Sequence, residues 1–349
     1  MSMRLFARGL LAVLLGVLTL VVHSANAPPA EPRTPAEHRR GAEQTYLTFP
    51  EWYLVHSPAE LADYLRAGRP PSAFPFFGHI AQFWQGYAEV TRATHDAPFN
   101  GGYHLMVSVI GSSTTVEYGL KACYEATVGA LAEATATNGP TPEDQLAARV
   151  AQDYVDFIRV WPWYEYDFGK RLAELWQTAP WWGDDMLRKW ERRFALTSEY
   201  GVKWAYAWLI KKATQSIYDA PLPTTALVLD RWPGSLAELP ELKRLRDVPG
   251  GVLVTVPRYE AFNRYANALA ARALHIDEVA GNRGPILVSL LLPRDAGPTE
   301  GTRLLFIQPV LTQAGTERRV LTVQVSSLAE TLHAWAEQPG VKVEHVYDF

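Results

Sequence analysis

The sequence predicts an α+β protein, in which an aromatic-rich, all-helical domain precedes a ferredoxin-like (split βαβ) α+β sandwich. Eight of the 12 tryptophans lie between residues 160 and 212, as expected for a large aromatic core or an amphipathic binding surface. Apolar residues recur at helical spacing through most of residues 35–216, whereas the following part alternates β-rich runs with two helical ones. With 349 residues, the chain is long enough for two domains.

The first 27 residues predict export. Arg4 and Arg8 precede an apolar run over residues 9–22, which small residues follow. Because a proline at position 28 generally blocks the signal peptidase, residues 1–27 are interpreted as a signal peptide or an uncleaved membrane anchor. We expect residues 9–27 to anchor the protein in the inner membrane, with its body on the periplasmic or another extracytoplasmic face. Proline-rich residues 28–34 predict a tether, followed by domains over 35–220 and 221–349.

Composition narrows the classes of partner. A net charge of −4 gives no electrostatic reason to expect nucleic acid. The membrane is the partner expected for the N-terminal segment, and lipid, a glycan or an envelope protein for the body. The single cysteine, Cys123, excludes an internal disulfide and predicts a small buried residue. No signature for a cofactor is present, so any cofactor is unknown.

Capping signals predict the starts of three helices, near residues 35, 58 and 142. They are Thr34-Pro35-Ala36-Glu37, Ser57-Pro58-Ala59-Glu60 and Thr141-Pro142-Glu143-Asp144. Two further helices are expected over residues 74–138. A small or polar stripe on the second of them predicts close packing or a polar cleft. Its members are His104, Ser108, Gly111, Thr115 and Gly119.

A long helix over residues 185–216 carries an aromatic seam, whose spacing of four and three predicts a face buried in the core. The seam consists of Trp190, Phe194, Thr197, Gly201, Trp204 and Trp208. Basic residues dominate the rest of this helix. They predict a solvated face, or alternatively a helix lying on an anionic membrane surface. They are Arg188, Lys189, Arg192, Arg193, Lys203, Lys211 and Lys212.

The C-terminal part predicts the order strand, helix, strand, strand, strand, helix, strand, which is a split βαβ arrangement with one added strand. The strands are expected at 252–256, 286–292, 303–311, 318–325 and 341–349, and the helices at 258–274 and 327–338. No internal repeat is apparent. In the last strand His345 is predicted to be a core histidine with its hydrogen bonds satisfied.

The sequence contains no P-loop, dinucleotide fingerprint, nucleophile elbow or HExxH motif. Carboxylates among aromatic rings, between residues 161 and 182, instead predict a binding rim. Asn100 before two glycines and a helix predicts a tight turn, or alternatively free N–H groups that would bind an anion or a carboxylate. The predicted ligand-binding residues are Trp163, Glu165, Asp167, Trp181, Trp182, Asn100 and His104.

The leading interpretation is an exported or membrane-anchored envelope protein, which binds an amphipathic ligand, lipid or a protein partner through its aromatic helical domain. The rival interpretation is a metal-dependent hydrolase, with a site among His79, His95, His104 and Glu117. Their spacing matches no metal motif, and ordinary hydrogen-bonded histidines are the simpler interpretation. A third class is a purely structural scaffold. The sequence leaves open whether the protein is an enzyme.

Overall fold

The computed structural model describes residues 31–41, 43–214, 222–297 and 299–348. The predicted membrane segment (1–27), residues 28–30 of the tether and the predicted domain boundary at 220–221 lie outside these residues, so the boundary stays a prediction. Residues from Thr34 onward form one compact unit. The α+β class is confirmed, because this unit combines helices with two antiparallel four-stranded sheets.

The helical half contains seven α-helices within the described residues. They are α1 (Gln44–Leu47), α2 (Phe49–Arg66), α3 (Phe76–Ala93), α4 (Gly101–Tyr124), α5 (Pro142–Ile158), α6 (Phe168–Thr178) and α7 (Met186–Thr214). After Tyr124, α4 continues through a π-helical turn, Glu125–Gly129, into a last turn, Ala130–Glu133.

Only one of the three predicted helix starts is confirmed. α5 begins at Pro142 behind the capping box of Thr141 and Asp144. The amide and hydroxyl of Thr34 instead donate to the buried carboxylate of Glu278, at 3.0 and 2.9 Å, and only a 3₁₀ turn follows. Ser57 lies inside α2, which begins at Phe49. The Ser57 hydroxyl donates to the Tyr118 hydroxyl at 3.0 Å, so this residue, like Thr34, bonds to a distant residue and caps no helix.

In the C-terminal half, the described residues form eight strands and two further α-helices. The strands are β1 (Thr224–Leu229), β2 (Lys243–Val248), β3 (Gly251–Pro257), β4 (Ile276–Val279), β5 (Pro285–Pro293), β6 (Arg303–Pro309), β7 (Thr316–Gln324) and β8 (Lys342–Val346). The helices are α8 (Glu260–Ala270) and α9 (Leu328–Ala336).

The two sheets repeat one topology. Sheet 1 has the order β2-β3-β1-β4 and sheet 2 the order β6-β7-β5-β8, so each is a βββαβ unit with its helix before the last strand. The last strand of each carries one extra, bulged residue at the matching place, Asp277 in β4 and Glu344 in β8. The prediction that the chain lacks an internal repeat is therefore wrong at the level of topology.

One hydrophobic core serves both sheets. It combines apolar residues of β1, β3, β4 and α8 with those of β5, β7, β8 and α9. Helices α8 and α9 pack against each other. Asn263 of α8 also completes the backbone of β8: its side-chain amide donates to the Glu344 carbonyl at 2.9 Å, and its oxygen accepts from the Val346 N–H at 2.7 Å.

The helical half packs on sheet 2. Phe49 and Tyr53 of α2 and Phe83 of α3 share a buried cluster with Phe306 and Tyr347. Backbone contacts add to this packing. The Leu287 N–H donates to the Thr45 hydroxyl (2.8 Å), and the Gln82 side chain donates to the Pro309 carbonyl (2.7 Å). The helices therefore cover the face of sheet 2 opposite the shared core.

Candidate functional site on helices α4 and α7

Helices α4 and α7 lie side by side and antiparallel. Ion pairs join them in sequence, with residue numbers that rise along α4 as they fall along α7. The pairs are Glu117–Lys203 (3.0 Å), Lys121–Glu199 (2.8 Å) and Glu125–Arg192 (2.8 Å). Burial alone would raise the pKa of Glu199, but Lys121 and Lys203 lower it well below its usual value.

One side of this helix pair faces away from the protein, and we call it the outer face. In the part that the structure describes, it presents no charged residue at an exposed position. Over residues 105–131 and 187–209, all of them described, no exposed position holds a charged residue. Twelve of the exposed side chains are large and apolar, six on each helix, and they are 48–70% exposed. The outer face comprises Leu105, Val109, Ser112, Val116, Leu120, Cys123, Ala126, Thr127, Val128 and Leu131, and Leu187, Phe194, Ser198, Val202, Trp204, Ala205, Trp208 and Leu209.

Two sequence predictions are wrong here. Phe194, Trp204 and Trp208, predicted to line the core, are each more than half exposed, because α7 turns a different side inward. Cys123, predicted to be buried, lies in the middle of the outer face and is exposed.

Four of the seven basic residues of α7 that were expected in solvent are buried beneath the outer face. Four cations there meet four carboxylates. They are Arg188, Lys189, Arg192 and Arg193, with Glu125, Glu143, Asp144 and Glu191. The Lys189 ammonium donates to both oxygens of Glu143, at 3.0 and 3.1 Å, and Glu143 has no exposed surface. This part of the helix pair thus has its charges inside and apolar groups outside, the reverse of a water-facing helix.

An aromatic cage surrounds Arg193 at the N-terminal end of α7. Its guanidinium carbon lies 5.1–5.5 Å from the ring centroids of Trp176, Trp181 and Trp190. The same guanidinium donates to the carbonyl of Ala179 at 3.0 Å. Trp181, predicted to bind a ligand, therefore contacts a buried residue of its own chain, while Trp182 next to it is 78% exposed.

The other residues of the predicted binding rim lie further along α7. Trp163 packs against Tyr206, with ring centroids 5.2 Å apart, and Glu165 pairs with Lys211 at 2.9 Å. Asp167 accepts a hydrogen bond from the Lys170 N–H (2.9 Å) and caps α6. Trp181 packs against Trp190. Trp190 precedes Tyr206 by 16 residues, which corresponds to about 24 Å along α7. The structure therefore does not bring the rim residues into one site.

Asn100 and His104 make local contacts at the start of α4. The Asn100 side chain accepts the N–H of Tyr103 at 3.1 Å, so it caps the helix and uses one of the N–H groups predicted to bind an anion. His104 stacks on Phe99, with ring centroids 4.7 Å apart, and its Nδ1 lies 2.8 Å from the Tyr87 hydroxyl.

The four residues of the predicted metal site are not brought together. His79 is buried beside Tyr53, His95 is exposed next to Asp96, and Glu117 belongs to the ion pairs of α4 and α7. Across the described ranges, no group of three or more His, Cys, Asp or Glu residues is placed to hold a metal ion.

Sequence reasoning missed the outer face, although a signal was present: uncharged residues recur every three or four positions from Leu105 to Cys123. In the part of the chain that the structure describes, no helix is long and apolar enough to cross a bilayer. Comparisons with protein-family models, curated proteins and solved structures found no match.

Proposed function

We propose that the protein is an exported or membrane-anchored envelope protein that binds a lipid surface through the outer face of α4 and α7. The observation that carries this proposal is the absence of charge from every exposed position of residues 105–131 and 187–209. Charged groups of the same helices are buried in ion pairs, although such burial has a desolvation cost. An arrangement of this kind is favourable where apolar material, not water, covers the face.

The size of the outer face supports an apolar partner. Monomeric proteins rarely expose contiguous apolar patches beyond a few hundred Å². Twelve large side chains, each about half to two-thirds exposed, would contribute on the order of 10 kcal/mol if hydrocarbon covered them all. A glycan would require polar partners, and the outer face offers few, at Ser112, Thr127 and Ser198.

The ends of the outer face favour lipid over another protein. Tryptophans lie at both ends of α7, Trp181 and Trp182 before it and Trp204 and Trp208 near its C-terminus. The Lys212 ammonium lies 4.3 Å from the centre of the Trp208 ring. Tryptophan is enriched at the depth of the lipid headgroups, where a lysine can also contact the headgroup phosphates. The predicted N-terminal anchor would hold this surface close to a membrane.

We also propose a narrower form of the fold prediction, in which the ferredoxin-like description applies to each βββαβ unit separately. In sheet 1, β3 and β4 are both antiparallel to β1, which lies between them, and α8 connects them. Sheet 2 has the same arrangement: β7 and β8 are both antiparallel to β5, which lies between them, and α9 connects them. This split crossover supports the proposal.

Cys123 provides a direct test, because it is the chain's one cysteine and lies in the outer face. The full chain, reconstituted in phospholipid vesicles, would carry a nitroxide at Cys123. Its accessibility to oxygen and to a water-soluble nickel chelate is then measured by electron paramagnetic resonance. We expect high accessibility to oxygen and low accessibility to nickel, since oxygen concentrates in hydrocarbon.

The matched control is Cys123→Ser combined with Glu330→Cys, which moves the label to an exposed position on α9. This label should be accessible to nickel. Equal nickel accessibility at both positions would mean that water covers the outer face, contrary to the proposal. Protection of Cys123 from both reagents would indicate a protein contact, such as a second copy of the chain, and would also overturn it.

A further inference from the structure

A cluster of buried polar residues lies between sheet 2 and helices α2 and α3. We call it the polar seam. Its members come from α2, α3, β5, β7 and β8 and from Tyr347, which directly follows β8, and all are buried or nearly so. They are His56, Glu60, His79, Ser289, Arg318, Glu344, His345 and Tyr347.

Arg318 forms the centre of the polar seam. Its Nε and Nη2 donate to the two oxygens of Glu344, at 2.6 and 2.7 Å, and Nη2 also donates to Glu60 at 3.0 Å. The bulge in β8 makes this possible, since the extra residue is Glu344 itself. Burial would lower the pKa of Arg318, but Glu344 and Glu60 raise it, so the guanidinium stays charged.

Two histidines flank this ion cluster at distances too long for hydrogen bonds. His56 Nε2 lies 3.6 Å from the nearer oxygen of Glu344, and His79 Nε2 lies 3.7 Å from one of Glu60. Burial lowers the pKa of His56 to about 4 and that of His79 to about 3. Each ring is therefore neutral at pH 7, with one nitrogen to donate and one to accept.

The seam concentrates polar atoms that lack a hydrogen-bond partner among the described residues. They are His56 Nε2, His79 Nε2, Ser289 Oγ, Arg318 Nη1, both ring nitrogens of His345, and the Tyr347 hydroxyl. His345, predicted to be a core histidine with its hydrogen bonds satisfied, is buried, and its ring packs against Trp52 with centroids 3.5 Å apart, but neither nitrogen has a partner among the described residues. Leaving a buried donor or acceptor unpaired costs roughly 1–3 kcal/mol, so a cluster of seven demands an explanation.

Ser289 lies beside Glu344 and Tyr347. Burial raises the pKa of Tyr347, and a smaller effect of the Ser289 hydroxyl opposes this rise; at Glu344, burial is outweighed by Arg318, and Ser289 adds to the lowering of the pKa. The Ser289 hydroxyl nevertheless has no partner at hydrogen-bonding geometry among the described residues. The distances of 3.6 Å at His56 and 3.7 Å at His79 lie just beyond a hydrogen bond, and such distances are typical of polar groups that a water molecule bridges.

We propose that the polar seam is a binding site for buried water molecules, which connect Arg318, the histidines and the Ser289–Tyr347 pair into one hydrogen-bonded network. Water can donate to a histidine nitrogen and accept from Arg318 Nη1, as this set of groups requires. An anion is excluded, because two carboxylates face a single guanidinium.

The experiment removes one hydroxyl at a time, with Ser289→Ala and Tyr347→Phe, and measures the midpoint of urea unfolding of the full chain. If water bridges these groups, each deletion breaks a bridge and lowers the midpoint. Ser326→Ala, which removes an exposed hydroxyl, is the control and should leave it unchanged. If the seam is dry, each deletion removes an unpaired group, so an unchanged or raised midpoint for both variants overturns the proposal.

A crystal structure near 1.5 Å resolution gives the independent measurement. We expect ordered water within hydrogen-bonding distance of Ser289 Oγ and of at least one nitrogen of His345. Density for rings and hydroxyls that bond directly to one another, with no water between them, would overturn the proposal even if the variants were destabilised.

Discussion

Replacing Glu143 by glutamine tests whether the buried charges of α7 depend on their partners. Glu143→Gln keeps the size of the side chain and removes its charge. Lys189 then faces a neutral amide, although its ammonium donates only to Glu143 among the described residues. Arg193 also loses this carboxylate, but keeps the carbonyls of Ala179 and Pro180.

The expected loss follows from this geometry. Removing one partner of a buried ion pair costs about 3–5 kcal/mol, because the other charge remains buried. The amide oxygen of the glutamine still accepts one hydrogen bond, and Arg193 keeps other acceptors, so we expect about 3 kcal/mol. For a unit of this size, that corresponds to a decrease of roughly 4–5 °C in Tm.

Urea unfolding followed by circular dichroism measures the loss, with Glu165→Gln as the control. Glu165 also pairs with a lysine, Lys211, but both side chains are more than one-third exposed. Its replacement should change the free energy of unfolding by less than about 1 kcal/mol. Equal effects of the two substitutions would refute the claim that burial makes the ion pairs of α7 indispensable.

Three further predictions concern packing and pH. Gly111→Ala should lower the free energy of unfolding by roughly 1–3 kcal/mol, because the added Cβ would lie 2.2 Å from a ring of α3. Gly119→Ala, on the same helix, places its Cβ in open space and should raise the free energy of unfolding by up to about 1 kcal/mol. Thermal melts of the two variants compare these effects. His56 and His79 have folded-state pKa values of about 4 and 3, below the ordinary 6.5, so the unfolded chain binds more protons as the pH falls from 6.5 towards 4. Stability should decrease over that range, and His56→Gln should flatten the decrease in urea titrations. Burial raises the pKa of Glu51 to about 7 from 4.5, so its contribution, present at low pH, is lost as the pH rises through 7. Glu51→Gln should therefore stabilise the protein at pH 8, by roughly 1–3 kcal/mol, and much less at pH 5, as paired urea titrations would show.

Sequence periodicity predicted the long elements well, because each has one dominant spacing. The helices α3, α4, α5 and α7 and the strands β3, β5, β6 and β7 all lie close to their expected ranges. The strands that were missed lack such a signal. β2 is an exposed edge strand rich in basic residues, and β4 has only four residues. Without β1, β2 and β4, one sheet was predicted where the structure has two.

Predictions about the site failed for a different reason. The spacing of tryptophans identifies one side of α7 but not the direction in which it faces. That direction depends on acids far along the chain, such as Glu125 and Glu143, which make burial of Arg192 and Lys189 possible. No local pattern contains this information. The polar seam likewise brings together residues from five separate elements.

The core that both sheets share constrains how the protein folds. Neither βββαβ unit has a complete interior alone, since α8 and α9 pack against each other and α8 also supplies Asn263 to the edge of β8. We therefore expect the C-terminal half to unfold in a single cooperative transition, despite its duplicated topology. A cut in the loop between β4 and β5 should leave each βββαβ unit unstructured while the two fragments are separate, and both units should regain structure when the fragments are mixed.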